Sequence, residues 1–180
     1  MNERINDKVK LWLEKMPLRD NPTWQVAQDF AEPITWEDWI SEGKGIAGVE
    51  ESLLRLLESE DDPVTRSLIV VGLGVVGGDV SVNPLIRILE SDESMVAKEA
   101  AAALGGLGDP AAVEPLCAAL GTTDINVRAS AAMALGQLGG KRAVECLKSA
   151  SEDENRFVRS AIREALRGHT GGSIETDNVK

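Results

Sequence analysis

The sequence predicts an all-α fold. It is an α-solenoid of about four stacked helix pairs, closed at its N-terminal end by a helical cap. Three observations predict this. Similar segments recur at intervals of 31 residues over the C-terminal two-thirds of the chain. Within each segment the apolar residues fall at helical spacing. The first 42 residues lack the repeat but hold all four tryptophans.

The N-terminal segment comes first in chain order. Ile5, Val9, Trp12, Leu13 and Met16 lie on one face of a helix. Asn21-Pro22-Thr23 opens a second helix that runs to about Ala31, where Glu32-Pro33 breaks it. Thr35 to Asp38 has the form of a capping box, with Asp in place of Glu, and leads into a short third helix. A later stretch explains Trp12, Trp24, Trp36 and Trp39. Leu68 to Val76 is apolar on every side, and a helix apolar all round is buried all round. The N-terminal helices are therefore expected to fold over it. The tryptophans are expected to form a capping core rather than an aromatic binding box.

The repeats occupy residues 43–168. The copies run Ser52 to Gly78, Pro84 to Asp109, Pro115 to Gly140 and Cys146 to Gly168. Val96, Val127 and Val158 are spaced by 31, as are Leu73, Leu104, Leu135 and Leu166. Each copy predicts a short helix A, a polar loop and a longer helix B. Leu85, Ile88 and Leu89, and then Val113, Leu116 and Leu120, mark the buried stripe of helix A. Val127, Ala131, Ala134, Leu135 and Leu138 mark that of helix B. Gly108 and Gly139 are placed for left-handed C-terminal caps. The small residues Ala100 to Ala103 and Ala131 to Ala134 allow neighbouring helices to approach closely. In the last copy Ser151 replaces the apolar residue at Leu120, so its helix A should end early and the copy should act as a polar cap. Residues 169–180 have no apolar periodicity and are expected to form a flexible tail.

The third copy reads Val127-Arg128…Ala131-Ala132-Met133-Ala134-Leu135-Gly136-Gln137-Leu138-Gly139. This pattern resembles the HEAT-like repeats first recognised in phycobilin lyase subunits. The resemblance covers residues 43–168, although copy one has Gly72 where the pattern has Ala. It implies a superhelix with the B helices lining an inner, concave face. It says little about function, since such folds serve many unrelated proteins. One alternative it implies is a bilin lyase-like or tetrapyrrole-handling accessory protein. Against that, the chain has no Tyr and one His, so stacking and acid–base groups are scarce. The related di-iron hydroxylases ligate metal through His-Glu pairs, whereas here His169 precedes Thr170. HEAT-like DNA glycosylases need a basic groove.

Charge argues against such a groove. Lys and Arg number 19 against 30 Asp and Glu, a net charge of −11, which disfavours nucleic acid. The longest apolar stretch, Leu68 to Val76, is far shorter than the ~20 residues of a membrane span. The opening MNERINDKVK has no apolar core and is not expected to act as a signal peptide. Cys117 and Cys146 lie on consecutive A helices, two residues out of repeat register, and are expected to be buried and reduced. Free thiols favour a cytoplasmic protein. No cofactor or metal is expected. Gly72-Leu73-Gly74-Val75-Val76-Gly77 matches a dinucleotide fingerprint. Its glycines, however, fall in register with Gly105 and Gly108 near a helix C-terminus, where phosphate does not bind. The acidic runs Glu58 to Asp62 and Glu152 to Glu154 are expected to be solvated loops and helix N-terminal charge rather than a cation site.

The candidate site is the exposed face of the B helices. It comprises Glu99, Ala102 and Gly106 in copy two and Ser130, Met133 and Gln137 in copy three. Copy four adds Arg163, Glu164 and Arg167. Arg156, Arg159, Arg163 and Arg167 form one stripe, and Arg159 shares the register of Arg128, so it is expected to pair with a loop acid. Residues 43–109 carry 5 basic and 12 acidic residues, and residues 110–168 carry 8 and 7. The expected function is a non-catalytic interaction module, a scaffold or adaptor. It would take a protein or peptide segment, acidic where it meets the C-terminal end of the solenoid, without contact to nucleic acid or membrane. The oligomeric state is left open.

Overall fold

The computed structural model describes residues 2–14, 36–91 and 93–170. They form ten α-helices and no strand. Two helices, α1 (Asn2–Glu14) and α2 (Trp36–Lys44), precede four pairs. The pairs are α3 (Val49–Ser59) with α4 (Pro63–Val76), and α5 (Asp79–Leu89) with α6 (Ser94–Leu107). Next come α7 (Val113–Ala119) with α8 (Ile125–Leu138), and α9 (Gly140–Ser149) with α10 (Arg156–Thr170). A 3₁₀ turn, Pro110–Ala112, leads into α7. The fold is the predicted solenoid.

Local chemistry sets the helix boundaries. Asp62 precedes Pro63 and accepts from the Thr65 N–H at 2.8 Å, starting α4. Asp124 accepts from the Asn126 and Val127 N–H groups at 2.8 and 3.0 Å, starting α8. Gly108 ends α6 in the expected left-handed conformation, with φ 75° and ψ 12°. Gly139 departs from it. Its φ is 67° but its ψ is −157°, an extended region open almost only to glycine. Thus a single residue, Gly139, separates α8 from α9. The segment after Gly77 also departs from expectation. The second copy is expected to open at Pro84, yet α5 begins at Asp79 and carries Pro84 inside it. That proline sits in the sixth helical position, so the carbonyl it leaves without a donor is that of Val80, an exposed residue at the helix start.

The B helices pack most extensively against one another, and glycine makes the close approach possible. A Cβ on Gly74 would lie 2.7 Å from that of Ala103. One on Gly105 would lie 2.8 Å from the Ala134 Cα, and one on Gly136 2.7 Å from the Ala165 Cβ. Under these contacts runs a core row: Leu73, Leu104 and Leu135 are fully buried, as are Val96 and Val158.

The cap packs on α3 and α4, as expected. Within Leu68 to Val76 no residue is exposed. Trp12, 1% exposed, lies between Gly43 of α2 and Gly72 of α4. The predicted helix from Asn21 to Ala31, with Trp24, lies outside the described residues, as do the side chains of Trp36 and Trp39 and residues 171–180.

Two further expectations are corrected. Cys117 and Cys146 are not reduced; they form a disulfide, with their Cα atoms 5.6 Å apart. It ties α7 to α9 across the A layer. Glu114 and Arg142 bridge the same two helices at 2.6 Å. The second correction concerns His169 and Thr170, which extend α10 instead of starting a tail. There His169 Nε2 donates to the Gly136 carbonyl at 2.7 Å, closing the end of the B layer.

The disulfide spans 29 residues of sequence. Loop closure of that size restricts the unfolded chain by roughly 3–4 kcal/mol. Reduction should therefore lower Tm by roughly 10 °C. Thermal melts with and without a phosphine reductant check this. The Cys117→Ser, Cys146→Ser double variant should match the reduced protein and ignore the reductant. Equal melting of the oxidised and reduced protein would count against the bridge.

Candidate interaction face and loop edge

Along the B layer the structure leaves one continuous strip open. Ala102, Met133 and Glu164 share a register position and are all exposed, as are Gly106 and Gln137 one turn on. Glu99 and Ser130 are half-buried at the margin. Met133 is 48% exposed, a large apolar side chain in the middle of the strip. Gln137 folds back over Gly105 and covers the helix junction. Arg163 and Arg167 are exposed beside Glu164, and Arg167 pairs with Glu164 at 2.7 Å. Glu99 pairs with Lys98 at 3.3 Å. The strip thus runs from mildly acidic, through small and apolar, to mixed charge.

The glycine-rich motif is helical, as its register required. Gly72 and Gly74 lie inside α4, and Gly77 ends it. The next helix N-terminus is already filled. Glu50 of α3 accepts from the Gly78 N–H at 2.8 Å, the Ser81 N–H at 3.1 Å and the Ser81 hydroxyl at 2.6 Å. A carboxylate of the chain itself occupies the place a phosphate would take.

The loops between A and B helices are held by arginines. Arg128, nearly buried, donates to the Thr122 and Thr123 carbonyls at 2.9 and 3.1 Å. It also grips Asp153 of the next repeat through Nε at 2.8 Å and through a second nitrogen at 3.2 Å. Arg159 donates to the Asp153 and Glu154 carbonyls at 2.6 and 3.0 Å. It is structural, as expected, but binds loop carbonyls rather than a carboxylate. The same position in the first repeat is Arg66. It donates to the Leu57 and Glu60 carbonyls, both at 3.0 Å, and to Glu93 of the next repeat at 3.1 Å. Arg66 escaped the sequence reading, although it lies in register with Arg128 and Arg159.

These contacts set the acids. Desolvation pushes the Asp153 carboxyl up. The Arg128 hydrogen bond, the Asn155 N–H and the charges of Arg128 and Arg159 outweigh it, so the group titrates below the ordinary 3.8. The Thr65 N–H lowers Asp62, and the Val127 N–H lowers Asp124. The hydrogen bond from Arg142 lowers Glu114. Members of both acidic runs therefore serve the fold, as a helix cap and as ion-pair partners. Among the described residues no group of three or more His, Cys, Asp or Glu could share a metal ion. Among them, too, no helix is long and apolar enough to cross a membrane.

No curated protein matches the chain. Residues 82–167 match the family model for HEAT repeats. That span holds the last three of the four B helices, two of the loop arginines and the exposed strip. Over these residues, just under half of the chain, the sequence is similar to HEAT repeats.

Proposed function

We propose that the chain is a non-catalytic interaction module whose B-helix face binds a protein or peptide segment. HEAT repeats commonly mediate protein interactions. The observation that carries the reading is Met133, large, apolar and 48% exposed at the centre of the strip. Small neighbours, Ala102 and Gly106, leave room beside it for an inserted side chain. A thioether adapts its shape to such a guest. Arg163, at the C-terminal end, favours a segment that is acidic there. The net charge of −11 favours protein over nucleic acid. The cytoplasmic placement rested on free thiols and loses that support. A Cys117–Cys146 bridge favours an oxidising compartment. Thiol trapping in the native cells would report which holds.

The test is capture from native lysate with tagged protein and a Met133→Glu variant, followed by direct affinity measurement on the captured partner. A charge buried against an apolar partner surface should weaken binding by about a hundredfold or more. The circular dichroism of the variant should be unchanged, because position 133 is exposed. Unaltered affinity would sink the B-face reading.

A further inference from the structure

The loop arginines recur at 31-residue intervals, and one rung is missing. The register runs Arg66, Ala97, Arg128, Arg159. Each arginine sets its guanidinium against the carbonyl of the residue six positions earlier: Glu60, Thr122 and Asp153. Arg66 and Arg128 also reach a carboxylate in the next repeat, Glu93 and Asp153. At the second repeat Ala97 ends at its methyl group.

The space left there is a cavity of about 310 Å3. Ser91, six positions before Ala97, lines it and stands where the accepting carbonyls stand in the other repeats. Asp124 lines it from the next repeat, at the register of Glu93. Glu90, Ser94, Thr122 and Thr123 complete its polar wall, and among the described residues no basic one lines it. The nearest cation in sequence, Lys98, pairs with Glu99 instead. One Asp124 oxygen caps α8. The Val127 N–H, then the Asn126 N–H, the Ser94 hydroxyl and the charge of Arg128, hold the carboxyl below its ordinary range against desolvation. An incoming guanidinium would therefore displace the Ser94 hydroxyl or share the carboxylate with it.

We infer that this vacant rung is a binding site for the guanidinium of an arginine side chain presented by a partner protein. The walls match the groups that receive a guanidinium elsewhere in the same chain. A planar, five-donor fork can serve a loop carbonyl and a carboxylate together, which a lysine ammonium does less well. The opening lies on the A–B loop edge, where the residues after Ser94 and Asp124, Met95 and Ile125, are exposed. This is a separate surface from the Met133 strip and stands or falls without it.

The experiment is a titration of 15N-labelled full chain with N-acetyl-arginine methylamide, whose ends are uncharged. Saturable millimolar shifts should appear at the amides of Ser91, Ser94, Ala97, Thr122 and Asp124. The lysine analogue should bind about fivefold more weakly or less. Ala97→Arg should fill the cavity with the chain's own guanidinium, abolish the shifts and raise Tm. Asp124→Asn, which keeps the helix cap, should weaken binding by about fivefold. Met133→Glu should leave the titration unchanged. Absence of saturable shifts at these amides, equal response to the lysine analogue, or an undiminished response in Asp124→Asn would overturn the proposal.

Discussion

Replacing Arg128 by Met should cost roughly 3–5 kcal/mol, a large part of the stability of a domain this size. The side chains of Arg128 and Asp153 are 6% and 9% exposed. Removing the guanidinium strands a buried carboxylate and leaves the Thr122 and Thr123 carbonyls without their donor. The methionine fills the stem's volume but satisfies none of these groups. Adding Asp153→Asn should recover much of the loss. It removes the unpaired charge and keeps an acceptor for the Asn155 N–H, 2.7 Å away. Arg142→Ala is the contrast. Its bond to Glu114 is as short as 2.6 Å, but both side chains are more than half exposed, so solvent screens the pair and the variant should melt almost as the native protein does. Urea unfolding of the four proteins checks the order. An Arg128→Met loss within about 1 kcal/mol of zero would show that the buried pair does not hold the loops.

The same pair fixes the sign of a pH effect. Asp153 titrates below its ordinary value in the folded chain. Its contribution is present above the ordinary value and is lost as pH falls through the lower, folded one. Asp62 and Asp124 are lowered too, so they act in the same direction. Stability should hold down to about pH 5 and drop below 3.8. The gap between native protein and Arg128→Met should narrow over the same range, because a protonated Asp153 no longer needs a cation.

The spacing of 31 made the register legible but concealed the contacts. Residues 31 apart occupy the same side of successive parallel helices, so they do not touch. Facing sides of two such helices differ by about half a turn, or about two residues. Contacts therefore fall at 29. Gly74 meets Ala103, Gly105 meets Ala134, Gly136 meets Ala165, and Cys117 meets Cys146, every one at that separation. The two-residue offset that made the cysteines look unpaired is the offset that joins them. The exposed strip was legible because exposure follows the register: 102, 133 and 164 are open together. The vacancy at Ala97 was also visible as a break in the arginine series. Its meaning was not, because the function of Arg66 and Arg128 depends on loop carbonyls that a sequence does not display.

Replacing Trp12 by Ala should cost roughly 3–5 kcal/mol, and the loss should fall on the N-terminal end. Gly43 holds the register of Gly74, Gly105 and Gly136, and Gly72 that of Ala103, Ala134 and Ala165. They are the next pair at 29, so α2 stands where a preceding B helix would stand. Here the two glycines do not pack on each other. The Trp12 indole is wedged between them, with ring atoms 3.2 and 3.4 Å from where a Gly72 Cβ would be; a Cβ on Gly43 would run into the ring. Gly72 departs from the repeat pattern because a tryptophan takes the space of the missing methyl. The prediction follows in two parts. In the native chain Gly72→Ala, which restores the pattern, should destabilise, since both Trp12 and the Leu13 Cδ2, also 3.2 Å away, would have to yield. In the Trp12→Ala chain the same change should stabilise by up to about 1 kcal/mol, through helix propensity alone. Urea unfolding of the four chains gives the cycle. Hydrogen exchange locates the damage: amides of α1 and α2 should lose protection while α6 and α8 keep theirs, since each repeat leans only on its neighbours. Uniform loss across the chain, or additive effects of the two substitutions, would show that Trp12 does not serve as the wedge that seals the first repeat.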